Sequence, residues 1–372
     1  MGELSLEELR SWMLEHHQPG YRAQQVREQA RLGRVAGFEA MAVLPQRLRE
    51  MLSSEVSYLS LSPAGDRGAD LGLTHKLLLR AHDGQEVETV AIRHPGSSRG
   101  RARHTVCVSS QVGCAIGCVF CATGQLGLRR QLSAAEIVDQ VRIVAALWAN
   151  SGAGPPSNVV FMGMGEPLHN YQAVVRSLRL LREWGISWRR IVVSTSGLVP
   201  EIDRLAGEGL PVTLAISLHA AEDRLRDRLV PLNRRFPLAD LEAAASRYRA
   251  RTGRRVSLEY VLIAGVNDSA QDAAQLRRLA DRIEAHVNLI PMNPIPHSQL
   301  GAPPEAACRD FATRIGPRAT IRFSRGRQAD AACGQLRAAL LAPPQRLARR
   351  AQAPPVPPPR PPVPAGANST DE

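Results

Sequence analysis

Three cysteines, Cys114, Cys118 and Cys121, lie in the string Cys114-Ala-Ile-Gly-Cys118-Val-Phe-Cys121. C-x-x-x-C-x-x-C on a loop gathers three thiolates around one point. A structural zinc takes four protein ligands. Three thiolates suit three irons of a [4Fe–4S] cluster and leave the fourth iron open. An open iron can chelate the amino and carboxylate groups of S-adenosylmethionine. An electron passed to the sulfonium then cleaves a C–S bond and releases a deoxyadenosyl radical. Phe120, just before the third cysteine, can shield such a cluster from solvent. Two other arrangements satisfy the spacing: a zinc loop completed by a distant ligand such as Cys308, and a set of buried thiols.

The second string is Phe161-Met-Gly163-Met-Gly165-Glu166-Pro167. Its glycines let backbone approach a ligand closely, and Glu166 can accept hydrogen bonds from an ammonium group. It is not the dinucleotide fingerprint, because Leu168 takes the last glycine position; an ordinary strand-to-helix turn is the competing reading. Ser194-Thr195-Ser196-Gly197, Ser217-Leu218-His219 and Pro291-Met292-Asn293 each put hydroxyl, imidazole or amide groups at a strand end. Singly these are as well explained as caps, turns or a satisfied buried histidine; their convergence on one rim is the argument. Cys333 precedes a glycine in a small-residue stretch, and Cys107 lies seven residues before Cys114. A lone cysteine is most often a buried structural residue, and the residues alone promote neither thiol to catalysis.

The elements that must position these groups follow from periodicity. Apolar runs at 105–109, 158–162, 191–195, 212–217, 256–263 and 287–290 read as parallel strands buried on both faces. Helical stretches at 134–149, 171–184 and 268–285 intervene. The fold class expected is α/β: a partial parallel (β/α)6 barrel with its chemistry at the carboxyl ends of the strands. A further apolar run at 319–323 can extend the sheet. Before the barrel, Ser5 and Glu8 form a capping box, helices are expected near 6–13, 22–32 and 46–53, and residues 56–93 read as a small antiparallel sheet with a hairpin at His82-Asp83-Gly84. This places an accessory domain at 1–95, a loop at 95–103, the core at 100–335 and a disordered Pro/Ala/Arg-rich tail at 342–372.

Composition bounds the rest. The chain has 372 residues, 44% of them hydrophobic, and a formal charge of +12. That supports a sizeable core and excludes a disordered chain. No apolar run reaches the ~18 residues that span a bilayer, and the acidic amphipathic start is not a signal peptide; the expected location is the cytoplasm, with no membrane partner. Six cysteines are too few to staple a chain this long. The positive charge suits a polyanionic partner such as nucleic acid, but Lys76 is the single lysine, and a GC-rich coding bias toward arginine accounts for the charge equally well.

These strings together resemble the RlmN/Cfr family of radical-SAM RNA adenine methyltransferases. The resemblance runs from the Pro-x-Tyr21-Arg22 region to Gln335 and rests on Cys107-Val-Ser-Ser-Gln-Val-Gly-Cys114, the cluster loop, Met162-Gly-Met-Gly-Glu-Pro-Leu168, Ser194-Thr-Ser-Gly197 and Ala331-Ala-Cys-Gly-Gln-Leu336. It implies a [4Fe–4S] cluster on Cys114, Cys118 and Cys121, and S-adenosylmethionine, two molecules per methylation, contacted by Gly165, Glu166, Ser194, Ser217, Leu218, His219 and Asn293. It implies that Cys333 carries the methyl group as S-methylcysteine. Cys107 then resolves the protein–RNA adduct through a transient disulfide with Cys333, and Glu88 accepts a proton. The implied partners are RNA (23S rRNA, with tRNA left open), met by residues 1–93 and by arginines such as Arg322, Arg325 and Arg327, and an external electron donor such as flavodoxin; the chain is expected to be a monomer. Pro167, Ser196 and Arg325-Gly326 resemble the C2-methylating branch, whereas residues 19–52 and 121–127 lie at least as close to the C8 branch, and Met292 replaces the usual aromatic. The balance favours C2.

Overall fold

A computed structural model describes residues 1–31, 33, 35–96, 102–295, 298–323 and 334–336. Cys333, Arg325, Arg327, part of the 95–103 loop and the whole 342–372 tail lie outside the described residues. The chain opens with three helices, α1 (Leu6–Glu15), α2 (Arg22–Arg31) and α3 (Gln46–Glu55). Ser5 caps α1 reciprocally with Glu8, as the capping-box spacing predicts. Three antiparallel strands follow: β1 (Leu61–Ala69), β2 (Thr74–Ala81) and β3 (Glu86–His94). The β2–β3 hairpin turns at Gly84, which sits at φ +78°.

The core begins with β4 (Arg103–Cys107), a short β5 (Gln111–Gly113), α4 (Ala122–Leu126) and β6 (Leu128–Gln131). It continues with α5 (Ala134–Asn150), β7 (Asn158–Phe161), α6 (Tyr171–Glu183), β8 (Ile191–Thr195), α7 (Val199–Gly207) and β9 (Thr213–Ser217). After α8 (Asp223–Leu229) and α9 (Leu238–Thr252) come β10 (Ser257–Leu262), α10 (Ala270–Arg282), β11 (His286–Pro291), α11 (Glu305–Ile315) and β12 (Ala319–Ile321). Strands β4, β7, β8, β9, β10 and β11 pair in parallel, giving the expected partial barrel, and β12 adds the extra parallel strand beside β11. Reciprocal capping boxes, Ser133 with Glu136 and Ser269 with Asp272, start α5 and α10.

One expectation changes. The antiparallel strands do not form a sheet of their own: β3 pairs with β4, with Val90 opposite Cys107, and one ten-stranded sheet runs from β1 to β12. Residues 86–91 of β3 are buried, so an unpaired second edge there would leave backbone N–H and C=O groups without partners. The N-terminal helices share the same hydrophobic core as the barrel. Arg142 of α5 joins them: it pairs with Asp139 at 2.6 Å and lies 4.4 Å over the Tyr58 ring and 5.2 Å over Trp184. Among the described residues, no helix is long and apolar enough to cross a membrane.

Candidate functional site

The cysteine loop leaves the β5–β6 hairpin, which sequence periodicity did not reveal. Gly113 turns at φ +78°, and a Cβ there would lie 1.8 Å from the Gly127 carbonyl, so only glycine lets the hairpin close. The Cys114 N–H donates to that same carbonyl at 3.0 Å. Cys121 stands at the N-cap of α4. Cys114, Cys118 and Cys121 thus meet on one cavity of about 150 Å3.

Gly165, Glu166, Ser194, Ser217, His219 and Asn293 line the same cavity, at the carboxyl ends of four different parallel strands. Gly165 sits at φ +104°, and a Cβ would meet the Gln111 side chain at 2.6 Å. The Glu166 N–H donates to Gln111 Oε1 at 2.7 Å. Its carboxylate accepts from the Ser196 N–H (2.6 Å) and the Leu168 N–H (3.1 Å). Burial pushes the Glu166 carboxyl up, and these hydrogen bonds oppose the shift. Each carboxylate oxygen has two lone pairs, so acceptor capacity remains for a ligand.

His219 adopts φ +60°, which is unusual for a residue with a side chain. Its Nδ1 accepts the Val261 N–H at 3.1 Å, so Nε2 carries the proton of the neutral ring. Burial, with Arg226 adding to it, pushes the imidazole down to about 3. The Phe120 ring packs 4.4 Å from it at 58°. A buried histidine satisfied at one nitrogen therefore also presents a fixed N–H donor.

The remaining predicted residues fall elsewhere. Leu218 does not line the cavity; its N–H goes to the Glu259 carbonyl and its carbonyl accepts from Arg226. Cys107 is buried at the end of β4. Register carries it to the cavity side: Cys107 opposes Val160, Val160 opposes Val192, and Ser194, two residues on, lines the cavity. Glu88, two residues from Val90, shares that face. It is buried and ion-paired with Lys76. Cys333 is outside the described residues, but the residues after it return to the end of the cysteine loop and to Pro294. The Ala122 N–H donates to the Gly334 carbonyl at 2.8 Å, Thr123 Oγ1 donates to the Leu336 carbonyl, and Gln335 Nε2 donates to the Pro294 carbonyl at 2.9 Å.

Several site residues carried no local signal. Arg226 is fully buried and bridges two strand ends: Nε donates to Leu218 O (3.0 Å), Nη1 to Asn233 Oδ1 (2.8 Å), and Nη2 to Ser196 O (2.7 Å) and Ser217 O (3.2 Å). Glu259 lines the cavity. Its Oε1 accepts from Ser257 and Asn288, while Oε2 has no partner among the described residues.

The donor set suits an iron–sulfur cluster with a polar ligand. Burial pushes Cys114 up to about 12 and Cys118 well above the usual thiol range, and Cys121 also rises. The nearby thiols and Glu166 raise Cys114 and Cys118 further, so as thiolates they need metal charge beside them. Among the described residues no three His, Cys, Asp or Glu side chains converge on one ion-sized point. Cubane ligation does not require that, since each thiolate takes a different iron. Cys308, the distant candidate for a zinc, lies in α11 with its thiol toward the Pro303 carbonyl. The orphan Glu259 oxygen calls for a hydrogen-bond donor from whatever fills the cavity.

Comparison with known proteins points the same way. The sequence profile of the Radical SAM superfamily matches residues 108–277. A curated Moorella thermoacetica protein, named a probable dual-specificity RNA methyltransferase RlmN, is 48% identical over 324 residues, covering 85% of this chain and 91% of its own. The protein of that name from Salinispora tropica is 50% identical over 335 residues, covering 87% and 88%. A crystal structure of a radical SAM methyltransferase from Sphaerobacter thermophilus superposes with a TM-score of 0.86 at 47% identity, covering 91% of this chain and 99% of that one.

Proposed function

We propose, from the premise that this chain belongs to the RlmN family of radical-SAM RNA methyltransferases, that it methylates C2 of an adenosine in RNA. We take A2503 of 23S rRNA as the target and leave A37 of transfer RNAs open as a second substrate; the relatives' names speak of dual specificity. Membership of the superfamily implies a [4Fe–4S] cluster and S-adenosylmethionine. Two cofactor molecules serve each methylation, electrons come from a small donor such as flavodoxin, and the enzyme works as a cytoplasmic monomer.

The observation that carries this reading is the return of residues 334–336 to the cysteine loop, which ties the stretch after Cys333 to the cavity that would hold the cofactor. When bound, cluster and cofactor supply one-electron cleavage of a carbon–sulfur bond and a primary carbon radical. Cys114, Cys118 and Cys121 would hold the cluster. Glu166 would accept hydrogen bonds from the cofactor's ammonium, and Gly165 would keep the backbone clear of it. The neutral His219 donates from Nε2; Ser194, Ser217 and Asn293 complete the polar wall. Adenine C2 has no nucleophilic lone pair, so its methyl must arrive on a carrier that itself becomes a carbon radical. Cys333 is assigned as that carrier. Cys107 would attack the Cys333 sulfur, forming the Cys107–Cys333 disulfide as the sulfur–methylene bond breaks with its electron pair going to carbon; that carbon takes up a proton to become the methyl group, and Glu88 would take the ring proton.

The test is mass spectrometry of RNA treated anaerobically with enzyme, cofactor and reductant. 2-Methyladenosine is expected; 8-methyladenosine would move the chain to the C8 branch, and neither product with an intact cluster would refute RNA methylation. Cys107→Ala should trap a covalent protein–RNA adduct, and Cys333→Ala should give neither adduct nor product. Equal turnover by both variants would overturn the thiol roles.

A further inference from the structure

Lys76 is the single lysine among 47 Lys and Arg residues, and it is not on the surface. Its Nζ lies 3.2 Å from Glu88 Oε1, with 9% of its own side chain and 3% of that of Glu88 exposed. The pairing is built by sheet register. Lys76 opposes Val90 across β2–β3, and Val90 opposes Cys107 across β3–β4. Opposed residues share a face, and alternate residues on a strand return to it. Lys76, Glu88 and Cys107 therefore lie on one face, the face that carries the cavity residues of the barrel.

Glu88 is held from behind as well. Its N–H points to Met164 Sδ at 3.4 Å, and its carbonyl accepts from Ser109 Oγ at 2.5 Å. The loops after β4 and β7 thus fix the Glu88 backbone. A buried ion pair is a poor source of net stability, because desolvating two charges offsets their attraction. Removing one partner is costly, since it strands the other charge. A buried carboxylate with no counter-ion protonates readily, and a protonated carboxyl cannot act as a base.

We infer that Lys76 is a positioning residue that keeps the Glu88 carboxylate ionised and aimed toward the substrate base. This deepens the proposed function and rests on its assignment of Glu88. In the step concerned, the proton on the attacked ring carbon passes to Glu88 while its bonding electron pair stays in the ring. In this role Lys76 acts through Glu88 and is assigned no contact with substrate or cofactor.

The experiment is a double-mutant cycle with Lys76→Met, Glu88→Gln and the pair together, in the cluster-loaded full chain with RNA. Each single change is expected to lower methylated product by about 100-fold, the lower end of what a general base contributes. Deoxyadenosine release and methylation of Cys333 should persist, and protein–RNA adduct should accumulate. The double variant should be no slower than Glu88→Gln. Thermal unfolding of the cluster-free proteins gives a second readout: Lys76→Met should melt lower, and adding Glu88→Gln should recover much of that loss. Wild-type turnover by Lys76→Met, or effects that multiply in rate and add in melting, would overturn the role of Lys76. Wild-type turnover by Glu88→Gln would instead remove the base assignment on which it rests.

Discussion

Replacing Arg226 by lysine tests whether the cavity rim is held by geometry or by charge. The guanidinium serves four acceptors around its edge: three backbone carbonyls, of Ser196, Ser217 and Leu218, and Asn233 Oδ1. Burial pushes its pKa down to about 10, so it stays charged at neutral pH. Lysine keeps the charge but concentrates it on one shorter-reaching ammonium, and a planar fork cannot be replaced by a point donor. At least two of the buried carbonyls then lose their donor, at roughly 1–3 kcal/mol each. The expected loss is about 2–6 kcal/mol. At about 2 °C per kcal/mol for a chain this long, the melting midpoint should fall by roughly 4–12 °C. The effect should reach the ligand, because the Ser196 N–H that donates to Glu166 lies in the peptide segment Arg226 restrains. Scanning calorimetry gives the first quantity, and equilibrium dialysis of S-adenosylmethionine against cluster-loaded protein gives the second. A midpoint within about 1 °C of wild type, with unchanged cofactor affinity, would refute the reasoning that four directed hydrogen bonds, rather than a buried charge, hold the rim.

Two further outcomes follow. Gly165→Ala puts a Cβ 2.6 Å from the Gln111 side chain at φ +104°; the strain of about 1–3 kcal/mol should weaken cofactor binding by about tenfold or more in the same dialysis assay while iron content stays unchanged. His219 should make the fold acid-sensitive: the unfolded imidazole takes a proton near the ordinary histidine value of about 6.5 and the folded one only near about 3. Between those values the unfolded state holds more protons, so stability drops as pH falls. About 2 kcal/mol should be lost by pH 5 relative to pH 8, and a urea-denaturation series in which His219→Gln shows the same slope would disprove it.

What the sequence disclosed depended on whether the cause was local. The cysteine loop, the Gly163–Glu166 turn and the polar strand ends are visible because each places unusual residue types within a few positions of an apolar strand, and the structure puts those strand ends around one cavity. The capping box at Ser5 is equally local. Strand β1 was only half visible: of its nine residues, Leu-Ser-Pro-Ala-Gly-Asp-Arg-Gly-Ala, those between the buried ends are exposed, so apolar alternation is absent. The joining of β3 to β4 depends on an edge being covered, and no single strand announces its neighbour. Arg226 sits in Asp-Arg-Leu-Arg-Asp-Arg-Leu, where it looks like any other surface arginine of a short helix; only the fold shows it buried. Glu259 is hidden in the same way, inside an otherwise apolar strand.

The order of strands in the large sheet has a consequence for how the protein is made. Leaving aside the small β5–β6 hairpin, each strand pairs with the one synthesised just before it. No strand must wait for a distant partner to be inserted between neighbours already in place, so the sheet can grow at one edge as the chain emerges, each parallel strand returning through a crossover connection. Cys114, Cys118 and Cys121 belong to the segment after β4 and are translated before β7 to β12. The nascent chain therefore carries these three thiols in the open, and residues 334–336, which bond to Ala122 and Thr123 beside them, are the last of the described structure to arrive.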